Sequence, residues 1–136
     1  MRIKHFLYGA TLLPSLALAQ VANISRTDGS ISGLNLSTGM QNAVSQSYVQ
    51  NDGKTFIVVK GGANAVTASA ITQQTSGWFN GFGLISMGNQ DVAIPSASLV
   101  IMGPYPMSRW NNVNGSVQIS FTSVTGVSVT AIRDPQ

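Results

Sequence analysis

The sequence predicts an all-β fold, either a single small antiparallel sandwich or a partly open barrel. Two observations carry this prediction. Apolar and polar residues alternate near the C-terminus, which is the period of a strand with one buried face. Short β-branched or aromatic segments also recur at a spacing of about 8–12 residues, with Gly, Pro or Asn between them, which is typical of sandwiches and small barrels.

The first 19 residues are expected to be a cleaved secretory signal peptide. Two basic residues precede an apolar run from Phe6 to Leu18, and the segment ends on Ala17-Leu18-Ala19, the small-x-small pattern that a signal peptidase recognises. The run is shorter than the roughly 20 residues of a membrane-spanning helix. We therefore predict cleavage between Ala19 and Gln20 and a periplasmic, cell-surface or extracellular protein with no stable transmembrane segment after cleavage. An uncleaved N-terminal anchor is the alternative.

Removal of this segment changes the charge of the chain. The full sequence has a net charge of +3 and a single histidine, His5. The predicted domain, residues 20–136, keeps five basic residues and four aspartates and has no histidine. Because those basic residues are scattered, we do not expect nucleic-acid binding. The chain also has no cysteine, so the fold must be held together by its core.

Upstream of the clearest strands, the sequence pattern is less regular. Residues 38–49 are compatible with one short helix, because the apolar residues Met40, Ala43 and Val44 have helical spacing. A candidate strand before this segment is marked by Ile31, Leu34 and Leu36.

Two β-hairpins are predicted farther along the chain. Ser47–Gln50 and Thr55–Val59 flank Asn51-Asp52-Gly53, and Asn or Asp before Gly suits the positive φ angles of a tight turn. The alternating segments Ser116–Thr122 and Val127–Ala131 are predicted to pair as a C-terminal hairpin. The remaining β-prone segments are Ala65–Thr72, Gly77–Met87, Val92–Ile94 and Ala97–Met102.

The side chains of the predicted domain exclude the commonest catalytic sites. Without His, Cys or Glu, neither a Ser-His-Asp or Cys-His site nor the usual zinc ligand sets can form. Three of the four aspartates, Asp28, Asp52 and Asp134, precede Gly or Pro as turn residues do, which disfavours chemistry by a carboxylate pair. We therefore predict that the protein is not an enzyme and uses no metal or cofactor.

One repeated pattern suggests a binding site. Ser76–Gly83 and Ser108–Gly115 both fit S-x-W-x-N-x-x-G and contain the only two tryptophans. A tryptophan face beside asparagine amides suits a sugar ring. In the alternative interpretation, Trp78 and Phe82 lie on one face of a strand and fill the core. The ligand-binding candidates are Trp78, Asn80, Tyr105, Trp110, Asn111 and Asn112.

The polar residues indicate a surface that is almost uncharged. Ser, Thr, Asn and Gln make up 44 of the 117 residues of the predicted domain. Sheet edges are usually protected by lysine, proline or inward charges, and few such residues are present here. Hydrophobic segments such as Phe56–Val59 and Leu99–Met102 therefore favour self-association by strand pairing, with a monomer whose edges are covered as the alternative.

The leading hypothesis is an exported, non-catalytic β-sandwich with a structural, adhesive or self-assembling role at the cell envelope or cell surface. In general terms the composition resembles that of bacterial surface-fibre and adhesin subunits. A carbohydrate-binding module and a periplasmic inhibitor or immunity-type partner protein are the two alternatives. The partners expected under these hypotheses are a second copy of the chain, a glycan or an envelope protein.

Overall fold

The computed structural model describes residues 21–28 and 36–134. The predicted signal peptide with its cleavage site at Ala19 and Gln20, and the candidate strand residues Ile31 and Leu34, lie outside the described residues. The described part of the chain contains twelve strands and two helices of four residues each. The predicted all-β class is therefore confirmed.

Ten of these strands form two sheets that pack as a sandwich and do not close into a barrel. The first sheet contains, in spatial order, β1 (Val21–Ile24), β4 (Gln46–Gln50), β11 (Ser116–Phe121), β6 (Val66–Ile71) and β9 (Gln90–Ile94). The second contains, in spatial order, β10 (Leu99–Met102), β5 (Thr55–Lys60), β12 (Ser128–Arg133) and β2 (Arg26–Asp28), and β3 (Gln41–Asn42) also pairs with β12. Strand β1 is parallel to β4, and β2 is parallel to β12; the other pairs are antiparallel.

The core lies between the two sheets and follows the alternation seen in the sequence. Val117 and Ile119 of β11 are buried, whereas Gln118 between them is only half-buried. Both sheets contribute inward-facing aliphatic side chains to one cluster, which includes Val49, Val66, Ala68, Ile94, Ile57, Val59, Val129 and Ala131. Hydrophobic burial between the sheets therefore stabilises the fold, in agreement with the absence of cysteine.

The two predicted hairpins are wrong in their pairing, although their strands exist. Strands β4 and β5 lie in different sheets, and so do β11 and β12. In a hairpin the apolar faces of two strands lie side by side, whereas strands in opposite sheets face each other and cover the core from both sides. The amide of Asn51 is buried at the first of these connections and donates to the carbonyl of Tyr105 at 2.8 Å. This contact holds the connection between the sheets.

The short helix predicted over residues 38–49 is also wrong. Helix α1 (Leu36–Gly39) includes only the first two of those residues, and β3 and β4 follow it. Strand β3 pairs with β12, and the Ala43 amide donates to the carbonyl of Val127 at 2.9 Å. Pairing with a distant strand therefore overrides the helical spacing of the apolar residues.

Only one of the two segments expected to favour strand pairing lies at a sheet edge. Strand β5 lies between β10 and β12, so both sides of Phe56–Val59 are occupied. Strand β10 is an edge strand, and its side chains Leu99 and Ile101 are exposed.

The two remaining strands, β7 (Ser76–Phe79) and β8 (Gly83–Ser86), pair with each other outside the two main sheets. They lie within the connection between β6 and β9, which are themselves antiparallel neighbours. The segment Gly77–Met87, expected to be extended, is therefore folded back on itself. We call residues 76–86 the apolar hairpin.

Candidate functional site

The apolar hairpin has a tight turn that exposes its tip. Trp78 lies opposite Leu84, and Phe79 lies opposite Gly83. The Phe82 amide donates to the Phe79 carbonyl at 3.0 Å, and Gly81 and Gly83 have φ angles of 84° and 79°. Glycine adopts these angles without steric cost, and the Cβ positions of both glycines face open space.

The first face of the apolar hairpin and its tip expose three large apolar side chains. Trp78 is 75% exposed, and Leu84, directly across from it, is 69% exposed. Phe82, at the turn, is 83% exposed. The interpretation that Trp78 and Phe82 fill the core is therefore wrong.

The second face of the apolar hairpin is apolar as well. Successive residues of a strand point to opposite faces, so Phe79 and Ile85 lie opposite to the Trp78 side, and both are exposed. Gly77 is the cross-strand partner of Ile85, and a Cβ there would lie 2.4 Å from the Met87 methyl carbon. The absence of a side chain at Gly77 lets Met87 pack against the backbone. The apolar hairpin thus presents apolar side chains on both faces and at its tip.

The sequence around the apolar hairpin carries no charge. Between Lys60 and Asp91 the chain has no Asp, Glu, Lys, Arg or His. Because charged side chains are the usual means of protecting an exposed strand, this segment lacks the ordinary protection against association. A contiguous exposed apolar surface on a small protein typically marks an interaction site.

The base of the apolar hairpin is held by Arg109 of helix α2 (Met107–Trp110). The Arg109 carbonyl accepts hydrogen bonds from the amides of Gln73 and Gln74, at 2.9 and 3.2 Å, just before β7. Its guanidinium donates to the Gly88 carbonyl at 3.0 Å, just after β8, and lies 4.6 Å from the centre of the Trp110 ring. One residue therefore contacts the chain on both sides of the apolar hairpin and ties it to the sandwich.

Of the six candidate binding residues, only Trp78 and Asn80 lie on the apolar hairpin, and both are exposed. Tyr105 and Trp110 are 1% and 5% exposed, and their rings pack edge to face with centroids 5.2 Å apart. Both aromatic rings are part of the core and offer no face to a ligand. The two halves of the repeated pattern therefore have different structural roles.

The remaining two asparagines hold local structure. Asn111 exchanges hydrogen bonds with Asn51: its amide donates to the Asn51 carbonyl, and its Oδ1 accepts from Asn51 Nδ2 at 2.6 Å. Asn112 Oδ1 accepts from the backbone amides of Asn114 and Ser116, which closes the turn before β11. Asn112 also lines an uncharged cleft of about 480 Å³ on the first sheet, together with Asn23, Ile24, Tyr48, Gln50, Asn114 and Ser116.

The sequence did not identify four of the exposed residues of the apolar hairpin as binding residues: Phe79, Phe82, Leu84 and Ile85. The sequence pattern indicates Phe82 only as a core residue. A usable signal was present, because the uncharged segment that contains the apolar side chains also contains glycines at positions 81 and 83. Those glycines mark a turn between two short strands.

Asp52 has a structural role. Asp52 Oδ2 pairs with Arg133 and lies 3.5 Å from a guanidinium nitrogen of Arg26, while Oδ1 accepts from the amide of Lys54. Partial burial raises the pKa of Asp52, but the hydrogen bonds from Lys54 and Arg133 and the two positive charges outweigh it and hold the pKa below its ordinary value. This carboxylate joins the β4–β5 connection to the ends of β2 and β12.

The hydroxyl of Tyr105 gives the protein a testable pH dependence. This oxygen is buried without a hydrogen-bond partner in the described part of the chain, and burial raises the pKa of Tyr105 to about 12. An unfolded tyrosine ionises near pH 10, so stability present below pH 10 is lost as the pH rises toward 12. Between pH 9 and pH 11, Tyr105 should lower the free energy of unfolding by about 1 kcal/mol.

Urea unfolding at both pH values, compared with Tyr105→Phe, measures this contribution. The phenylalanine variant should lose less stability on going from pH 9 to pH 11 and should be at least as stable as the parent at pH 9, because the deleted hydroxyl had no partner. Equal losses in the two proteins would contradict the assignment.

No known protein family, curated protein or solved structure matches the chain. Within residues 21–28 and 36–134, no cluster of three or more His, Cys, Asp or Glu side chains is placed to hold a metal ion. Neither helix of the described chain is long and apolar enough to cross a membrane.

Proposed function

We propose that the protein is an exported, non-catalytic β-sandwich with an adhesive role at the cell envelope, and that the apolar hairpin makes the contact. The observation that carries the proposal is the exposure of five large apolar side chains, on both faces and the tip of one element: Trp78, Phe79, Phe82, Leu84 and Ile85. Burying such side chains on a partner is worth about 1.5–3 kcal/mol each. Burial of several of them together offsets the entropic cost of association.

Two further features support this proposal. The N-terminal sequence has the charge, apolar run and Ala17-Leu18-Ala19 ending of a secretory signal, which accounts for a location at the envelope. The hydrogen bonds of Arg109 on both sides of the apolar hairpin hold it in position before any partner is bound, so less conformational entropy is lost when the hairpin binds.

The carbohydrate-binding alternative has less support. Only Trp78 and Asn80 of its six residues are exposed together, and the aromatic surface expected from Trp110 is in the core. A partner-protein role, as inhibitor or immunity protein, would use the same exposed surface and differs from adhesion in the identity of the partner.

Cell fractionation tests the proposal. The full-length chain would be expressed in a Gram-negative bacterial host, and the protein measured in the sedimented envelope and in the soluble periplasmic fraction. The hairpin variant, Phe82→Ser with Leu84→Thr, should raise the ratio of soluble to envelope-bound protein at least about tenfold, because two exposed apolar contacts are removed. The mass of the exported protein should correspond to a chain that begins at Gln20.

The matched control is the edge variant, Leu99→Ser with Ile101→Thr, which removes two apolar side chains that are 51% and 57% exposed on β10. It should remain with the envelope. Loss of envelope binding in the edge variant alone would assign the contact to self-assembly at β10. Unchanged fractionation of the hairpin variant would refute a role for the apolar hairpin. Release of the parent protein by a free sugar would favour the carbohydrate alternative.

A further inference from the structure

We infer that the surface contacted by the apolar hairpin is the lipid–water interface of a bilayer, into which the tip and the first residue pairs of the hairpin insert. This inference rests on the proposed adhesive role and names its partner. Three properties of residues 76–86 carry it: the arrangement of apolar side chains around the hairpin, their gradation along it, and the absence of charge.

The apolar side chains are arranged around the whole hairpin, which suits contact with a partner on all of its sides. Trp78 and Leu84 point to one side, Phe79 and Ile85 to the other, and Phe82 extends from the turn. A protein partner that adds to one face of a hairpin leaves the other face in water, so only one face needs to be apolar. Lipid contacts an inserted hairpin on all sides, and for that environment both faces must be apolar.

The polarity changes along the apolar hairpin from tip to base. The residue pairs nearest the turn are apolar, and the last pair, Ser76 with Ser86, is polar. In the turn itself, Asn80 is the one polar side chain beside Phe82, and it is exposed. At about 3.3 Å per residue, the distance from Phe82 to this serine pair is on the order of 10–13 Å. That length is close to the depth of about 5–10 Å at which apolar faces of interfacial elements lie. Tryptophan, here at position 78, is also a side chain that favours this zone.

The backbone sets a limit on the depth. Within the described chain, β7 and β8 pair only with each other, so their outer edges carry unpaired amide and carbonyl groups. Such groups cost several kcal/mol each in the hydrocarbon region but can still bind water at the interface. The apolar hairpin therefore anchors at the surface and does not span the bilayer.

The absence of charge predicts how binding depends on lipid and salt. Neither strand of the apolar hairpin has a basic residue, and the connecting segments from residue 61 to 90 have none. The cation at the base of the hairpin, Arg109, is engaged by the Gly88 carbonyl and the Trp110 ring, so attraction to anionic headgroups is not the main source of binding. The protein should bind zwitterionic and anionic vesicles about equally, and raising the salt concentration should have little effect.

The test uses the exported protein, purified from the periplasmic and envelope fractions, with vesicles of pure phosphatidylcholine and vesicles that also contain phosphatidylglycerol. Sedimentation should recover the parent protein with both. Tryptophan emission should shift to shorter wavelength and be quenched by lipids brominated near the headgroup. That signal reports Trp78, because Trp110 is already in the core.

The variants defined above separate lipid from other contacts, and both keep Trp78. The hairpin variant should partition into vesicles at least about tenfold more weakly than the parent, and the edge variant should partition like the parent. Binding to anionic vesicles alone, with loss in high salt, would overturn the inference. If neither vesicle binds the protein while the hairpin variant is still released from the envelope, the partner is a protein, and the adhesive role survives without the lipid.

Discussion

Replacing Trp110 by alanine is expected to lower the free energy of unfolding by about 3–5 kcal/mol, the range found for large aromatic residues deleted from a core. Its ring packs edge to face on Tyr105 and lies under the guanidinium of Arg109, so the substitution leaves a cavity and removes both contacts. Because Arg109 also holds the base of the apolar hairpin, binding by the hairpin should weaken as well.

Denaturant unfolding of the Trp110→Ala and Trp78→Ala variants measures the loss of stability caused by each substitution. The Trp78 variant should change stability by no more than about 0.5 kcal/mol, because its side chain is 75% exposed. Both variants delete the same side chain, from strand β7 in one case and from helix α2 in the other. Similar losses of stability in both would contradict the assignment of one ring to the core and the other to the surface.

Asn51→Ala is expected to cost about 2–4 kcal/mol, because it leaves several polar groups without partners at about 1–3 kcal/mol each. Asn51 Nδ2 donates to the Tyr105 carbonyl and to Asn111, and Asn51 Oδ1 accepts from the amide of Gly53. The bonds to Tyr105 and Asn111 join the β4–β5 connection to the chain on both sides of helix α2. Their loss should destabilise the passage of the chain from one sheet to the other.

Thermal and urea unfolding, with Asn80→Ala as the control, checks this expectation. Asn80 is exposed on the apolar hairpin, so its substitution should leave stability within about 0.5 kcal/mol of the parent. A cost below 1 kcal/mol for Asn51→Ala would show that the buried amide is not what holds the connection between the sheets.

Much of the secondary structure could be predicted from the sequence, and the pairing of strands could not. Alternation locates β11 and β12, because successive side chains of a strand point to opposite faces. In β12, however, the polar Thr130 is buried as well as its neighbours Val129 and Ala131, which the sequence pattern does not indicate. The Asn51-Asp52-Gly53 turn was expected to close a hairpin from its residue types alone. Whether a turn closes a hairpin or crosses between sheets depends on its distant contacts, here with Tyr105, 54 residues away.

The candidate site was predicted only in part, for a related reason. Trp78 and Trp110 share the pattern S-x-W-x-N-x-x-G, yet Trp78 is exposed and Trp110 is in the core. The four shared positions do not separate the two cases, and the glycine at position 81, which marks the exposed turn, is one of the positions at which the segments differ. A strand with apolar residues on both faces has the same composition as a fully buried strand. The sequence of the apolar hairpin is therefore also that of a core strand, and only the structure shows that the core between the two sheets does not include it.

By itself, the sequence determined the β class and the absence of His, Cys and Glu from residues 20–136, because periodicity and composition are properties of the chain. The tertiary structure decided which strands pair, that Trp110 belongs to the core, and that Trp78, Phe82 and Leu84 remain exposed. The physical reason is that the hydrophobic effect has no direction. An apolar side chain requires an apolar environment, and only the folded chain shows whether its own core supplies one.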